Sequence, residues 1–157
     1  MEFRKALGCF ATGVTIITTI DQDGDPVGIT ANSFTSLSLD PPLVLFCLDR
    51  KSMSFDAFHR NRHFAVNVLR STQEQLSRNF ARSGPDKWNG IPYEKWETGC
   101  PILAETIAAL ECDVDQVFEG GDHVILIGKV RRIRFEDGEC QPLLYYRGKY
   151  ARIGAPA

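Results

Sequence analysis

The chain holds 157 residues, 43% hydrophobic and 24% charged, the balance of a folded globular protein rather than a disordered or fibrous one. Eighteen basic against 20 acidic side chains give a net charge of -2, a poor electrostatic match for a nucleic-acid backbone. That length predicts one domain over residues 1–157. No apolar run approaches the roughly 20 residues that cross a bilayer, and no secretory leader is written, so a cytoplasmic protein without membrane or nucleic-acid partners is expected.

Phe3, Leu7 and Phe10 recur at helical spacing and predict a short amphipathic helix over 2–10. The β-branched run 14–20, a turn cluster at 21–25 and a return over 26–30 predict a hairpin. Residues 31–39 are polar and serine-rich, and Asp40-Pro41-Pro42 imposes an extended entry to a buried strand over 43–48. Ser52 or Ser54 can cap a helix carrying Phe55 and Phe58. A strand over 64–69 follows, then a second helix through 76–80 opened by the capping-box spacing Ser71 to Glu74. Residues 81–101, with two tryptophans, predict a long functional loop of little regular structure. The segments 107–117, 123–135 and 143–153 are strand-like, joined by turns at 120–122 and 137–138. Short strands with few helices predict a mainly β fold with peripheral helices, a closed or partly closed antiparallel barrel.

The five cysteines lie far apart with no C-x-x-C, so neither a zinc ribbon nor a redox pair is written. Cys47 and Cys112, among apolar neighbours, are expected as small buried hydrophobes. His59 and His63 lack an acidic third ligand, and no metal site is expected. Dinucleotide, P-loop, nucleophile-elbow and zincin motifs are all absent. Two segments could carry chemistry. The hydroxyls, amide and backbone N–H groups of 30–42 could wrap an acceptor-rich ligand, or simply cap their own loop. Asp49-Arg50-Lys51-Ser52, leading into a helix, could hold a phosphate, or be an ordinary cap.

The linked motifs Phe3-Arg-Lys-Ala-Leu-Gly-Cys-Phe-Ala-Thr-Gly-Val-Thr, Thr30-Ala-Asn-Ser-Phe-Thr-Ser-Leu-Ser and Asp40-Pro-Pro resemble the short-chain flavin reductase family. Gly121-Asp122-His123, Gly128-Lys-Val and Leu143-Leu-Tyr-Tyr-Arg-Gly-Lys-Tyr extend the likeness nearly to the C-terminus. These are the small reductase components of two-component flavin-dependent monooxygenases. The resemblance implies a split β-barrel forming a homodimer, with FMN or FAD near the subunit interface. NADH or NADPH would reduce the flavin, which would then leave to serve a separate oxygenase.

Carried over by position, Thr30, Ala31, Asn32 and Ser33 would lie along the isoalloxazine edge and ribityl chain, with Ser36, Ser38 and Leu39 shaping that wall. Cys47 and Leu48 would lie near the ring, Lys51 and Ser52 at the phosphate, and Phe80 and Arg82 over the flavin. His123 would face the nicotinamide and Tyr150 the flavin mouth. Two alternatives stay open within this fold: an oxidoreductase with fixed flavin acting on another acceptor, and a flavin-binding module without turnover.

Overall fold

The computed structural model describes residues 2–154. Helix α1 (Glu2–Leu7) ends earlier than its apolar spacing predicts, and it buries none of its residues. After β1 (Thr12–Gly13), the run Thr15-Ile-Ile-Thr-Thr forms most of β2 (Thr15–Ile20) and is buried on both faces. A strand covered on both sides reads as a continuous β-branched run rather than an alternation. Its buried threonines remain satisfied: Thr18 Oγ1 donates to the Pro101 carbonyl at 2.6 Å and Thr19 Oγ1 to the His63 carbonyl at 2.9 Å. Strand β3 (Pro26–Ala31) returns beside β2 through a turn that Gly24 (φ 84°) closes, with Asp21 Oδ1 accepting the N–H groups of Asp23 and Asp25.

The serine-rich stretch contains a strand that the sequence reading leaves out, β4 (Thr35–Leu39), paired with β5 (Pro42–Asp49). An edge strand has one neighbour and needs no apolar pattern, and a bulge at Leu37 blurs its period further. Helix α2 (Phe55–Arg60) follows, then β6 (His63–Val68) and helix α3 (Glu74–Ala81). The predicted side-chain caps do not form. Ser54 stands at the α2 N-cap without a cap bond, and α3 begins after Gln73, whose Oε1 accepts the Arg70 N–H instead.

The segment 81–101 is more ordered than its composition suggests. It holds a 3-10 turn (Pro85–Trp88) and β7 (Tyr93–Lys95), which pairs with β8 (Pro101–Leu103). The long strands β9 (Ala108–Gly120) and β10 (His123–Phe135) are joined by Gly121-Asp122. The last predicted strand divides into β11 (Leu144–Tyr146) and β12 (Lys149–Ala151), because Arg147 (φ 48°) and Gly148 (φ 77°) form a tight hairpin turn.

Seven strands form one antiparallel sheet in the order β3-β2-β6-β9-β10-β5-β4. Ile17 from one end of that order and Val44, Phe46 and Leu48 from the other join Phe64, Val66, Cys112, Val124 and Leu126 in one core, so the sheet curls on itself as a barrel. Phe58 of α2 closes it, meeting Phe46 edge-on at 5.7 Å between centroids. Gly128 admits the Phe64 ring: a Cβ there would lie 2.3 Å from it. A second cluster (Val14, Ile16, Leu69, Phe80, Leu103, Leu143) binds α3 and the C-terminal hairpin to the barrel. Among the described residues no helix is long and apolar enough to cross a membrane, and no group of metal-ligating side chains gathers.

Candidate functional site

The end of β3, the end of β5, the 49–54 turn, the C-terminal part of α3 and the 3-10 turn surround one open cleft of about 900 Å³. The β2–β3 ladder stops at Thr15–Ala31, after which Asn32 and Ser33 cross toward β4. Ser33 pins that crossing to β5: its Oγ donates to the Cys47 carbonyl (3.1 Å) and accepts the Cys47 N–H (3.0 Å). Thr30 Oγ1 donates to the carbonyl of buried Ser77 in α3 at 2.6 Å. Both hydroxyl protons are therefore engaged within the fold. The donors left on this wall are Asn32 and backbone N–H groups.

Cys47, expected inside the core, stands half-buried on the outward side of β5 and lines the cleft beside Leu48, and burial pushes its thiol above the ordinary range. By contrast Cys112 is fully buried, and desolvation raises its thiol strongly. The next segment closes on itself: Asp49 accepts the Lys51 N–H on its carboxylate (2.8 Å) and the Ser52 N–H on its carbonyl (3.0 Å). Ser52 Oγ accepts the Ser54 N–H at 3.2 Å and keeps its own proton to donate. Both Lys51 and Ser52 line the cleft.

The opposite wall is aromatic and cationic. Phe80 and Trp88 meet edge-on at 4.8 Å, and both pack over Gly28, where a Cβ would come within 2.7 Å of the Phe80 ring and 3.0 Å of Trp88. Lys87 Nζ donates to the carbonyls of Gly28 and Phe80, each at 3.3 Å. Burial, and after it the charge of Arg82, push Lys87 below the ordinary lysine value. Gly28, Lys87 and Trp88 escape the sequence reading. A glycine inside a strand pattern signals close approach, and that signal could have found the first.

His123 opens β10 at the cleft, paired across the ladder with Asp49. Its Nδ1 lies 2.7 Å from Asp122 Oδ1, and that contact holds the Asp122 carboxyl below the usual range. The cleft thus gathers Thr30, Ala31, Asn32, Ser33, Cys47, Leu48, Lys51, Ser52, Phe80, Arg82 and His123. Ser36, Ser38 and Leu39 lie outside it on β4, where Leu39 is 94% exposed. Tyr150 lies behind the wall, its hydroxyl 2.8 Å from Ser77 Oγ and its ring 4.8 Å beneath the Arg78 guanidinium.

The curled antiparallel barrel thus carries an open cleft lined by donors, cations and aromatic side chains, a setting that suits a ligand with a planar ring and a phosphate. The family described as Flavin reductase like domain matches residues 7–154, and the chain belongs to it. The chain is 47% identical to the flavin-dependent monooxygenase reductase subunit HsaB of Rhodococcus jostii, over 97% of this chain and 77% of that protein. It is 45% identical to a probable flavin reductase of Rhizobium meliloti, over 94% of this chain, but spans only 47% of that longer relative. The NADH:FAD oxidoreductase SgcE6 of Streptomyces globisporus, solved with NAD and FAD fragments, superposes with a TM-score of 0.93 at 36% identity, covering 99% of this chain and 93% of that one. The fold is accordingly the split barrel of flavin reductases, a family named for a flavin nucleotide.

The residues present fit such a nucleotide. Ala31 and Trp88 offer apolar surface for a planar ring, Asn32 and the neighbouring backbone offer donors, and Lys51, Ser52, Arg82 and Lys87 offer charge and a hydroxyl for phosphate.

Proposed function

We propose that this chain is an NAD(P)H-dependent flavin reductase, one flavin reductase-like domain that hands reduced FMN or FAD to a separate oxygenase component in the cytoplasm. What carries the reading is the meeting of three segments distant in sequence, 30–33, 47–52 and 80–88, with His123 around one cleft large enough for a nucleotide. A flavin held here would supply the redox chemistry, as the acceptor of a hydride from NADH or NADPH. The protein contributes orientation and electrostatics. Asn32 and adjacent backbone N–H groups, held by the Ser33–Cys47 clamp, aim donors where negative charge develops on the ring. Lys51 and Ser52 hold phosphate, and His123, steadied by Asp122, orients the nicotinamide carboxamide. The cleft's open side lets the product leave.

A homodimer belongs to this reading. Leu43, Leu45 and Cys47 on β5 and Ile125 and Ile127 on β10 point away from the core yet are apolar and half-buried, and Phe118 beside Ile125 is 48% exposed. Two strands apolar on both faces call for a cover on the outer one, and a second copy of the chain supplies it.

The deciding measurement is steady-state NADH and NADPH oxidation by dialysed protein with FMN, FAD or riboflavin added. Oxidation that depends on added flavin is expected. Flavin retained through dialysis with an alternative acceptor reduced, or stoichiometric flavin binding without nicotinamide oxidation, would replace this reading with one of the alternatives.

A further inference from the structure

Arg50 belongs to the phosphate turn by sequence but not by position. It sits between Asp49 and Lys51, which both line the cleft, yet it does not line the cleft itself. Its guanidinium turns away, pairs with Glu119 near the end of β9, and lies 5.9 Å from the centroid of the Phe55 ring at the start of α2. Glu119 stands opposite Val124 in the ladder, on the side of the sheet that α2 covers. The Arg50 backbone makes a further tie, its N–H donating to the Asp122 carbonyl at 3.0 Å. One residue therefore joins three pieces: the 49–54 turn, α2, and the β9–β10 tip with His123 at its root. Gly120 and Gly121 give that tip no side chain of their own to pack, and Gly121 turns at φ 72°. Lys51 adds a link through space: behind the larger effect of the His123 hydrogen bond, its charge helps keep the Asp122 carboxyl below the ordinary range.

Resting on the flavin reading of the cleft, we infer that Arg50 is a positioning residue that couples the two ends of the site: a phosphate held by Lys51 and Ser52 fixes the 49–54 turn, and Arg50 passes that order to the tip, setting His123 for the nicotinamide. The phosphate takes up the free Ser52 proton and the Lys51 charge, so the turn is fully ordered only when a phosphate is present. One ligand changes the affinity for another only through an element that both bias, and here that element is the turn with the tip bonded to it. The coupling is modest, because the Arg50 and Glu119 side chains are 39% and 79% exposed and an exposed ion pair contributes little.

Riboflavin, which is FMN without its phosphate, is the probe. With dialysed wild-type protein and saturating flavin, the KM for whichever nicotinamide nucleotide is oxidised faster should be about two- to fivefold lower with FMN than with riboflavin. In Arg50→Met, which keeps the stem and removes the charge, the FMN value should rise to the riboflavin value, while FMN affinity by fluorescence titration changes less than about twofold. Arg50→Lys keeps most of the difference. Glu119→Gln separates this tie from a plain attraction of Arg50 for anionic ligands. Freeing the cation would strengthen such an attraction and lower the KM, whereas cutting the tie raises it. The double variant should be no worse than either single one, the mark of a shared interaction. Equal KM values with FMN and riboflavin in wild type, an unchanged ratio in Arg50→Met, a lowered KM in Glu119→Gln, or additive effects in the double variant would overturn the coupling. A wild type without any flavin-dependent nicotinamide oxidation would instead remove the reductase reading beneath it, a result distinct from oxidation that ignores the phosphate.

Discussion

His123 and Ser52 stand on the same cleft with different surroundings, and those surroundings separate the roles proposed for them. His123 is the first residue of β10, its ring steadied through Nδ1 by Asp122 and otherwise open to the cleft. Ser52 is fixed by the turn at 49–54, its hydroxyl oxygen already accepting the Ser54 N–H and its proton left to donate. Replacing His123 with alanine is expected to slow hydride transfer or raise the NADH KM while flavin affinity changes little, as stopped-flow traces and flavin titration can show. Ser52→Ala should do the reverse, weakening flavin by about 1–2 kcal/mol, roughly 5- to 30-fold, through loss of one charge-assisted bond. Equal effects of both variants on both parameters would sink the division of labour. The Asp122 contact sets a limit on the acid side. A carboxyl held below its ordinary value contributes fully above that value and loses its contribution as pH falls through the depressed one, so the His123 orientation should persist through the ordinary carboxylate range and be lost only below it.

Elements with a strong pattern of their own were legible, and those defined by a neighbour were not. β2, β5, β6 and β10 carry β-branched or apolar runs that a one-dimensional reading detects. β4 carries serines because its edge position asks little of it, and α3 starts late because Gln73 serves the Arg70 backbone rather than capping. The site shows the same contrast. The segment 30–33 and the 49–52 turn announce themselves as polar breaks between strands, but the engagement of the Thr30 and Ser33 hydroxyls depends on partners 47 and 14 residues away. Lys87 and Trp88 are silent in sequence because only the packing of α3 on β3 brings them to the cleft. Gly28 is the hinge of that packing. Gly28→Ala would drive a methyl into Phe80 and Trp88, at a cost of about 1–3 kcal/mol. Because the displaced rings are the cleft wall, the variant should lose flavin affinity even at temperatures where circular dichroism shows it folded; intact affinity in the folded variant would remove the aromatic pair from the binding wall.

At the scale of the whole molecule, the barrel alone leaves apolar surface that a lone chain of this size does not need. The ladder runs Leu45 beside Ile127 and Cys47 between the cleft and Ile125, with Phe118 next in the row, so the outer apolar face begins at the wall of the site itself. β4, carrying Ser36, Ser38 and Leu39, borders that same face through its pairing with β5. In the proposed dimer these residues, which lie outside their own chain's cleft, would be placed to meet the cleft of the second copy across a two-fold axis. Wild-type protein should sediment at twice its 17.6 kDa chain mass. Phe118→Glu, placing a charge on a half-exposed position of β9, should shift it to monomer without unfolding the barrel. If the second copy completes the site, flavin affinity falls with the dimer and returns at protein concentrations that restore it. A monomeric wild type would refute the dimer, and a dissociated variant with undiminished flavin affinity would confine the site to one chain.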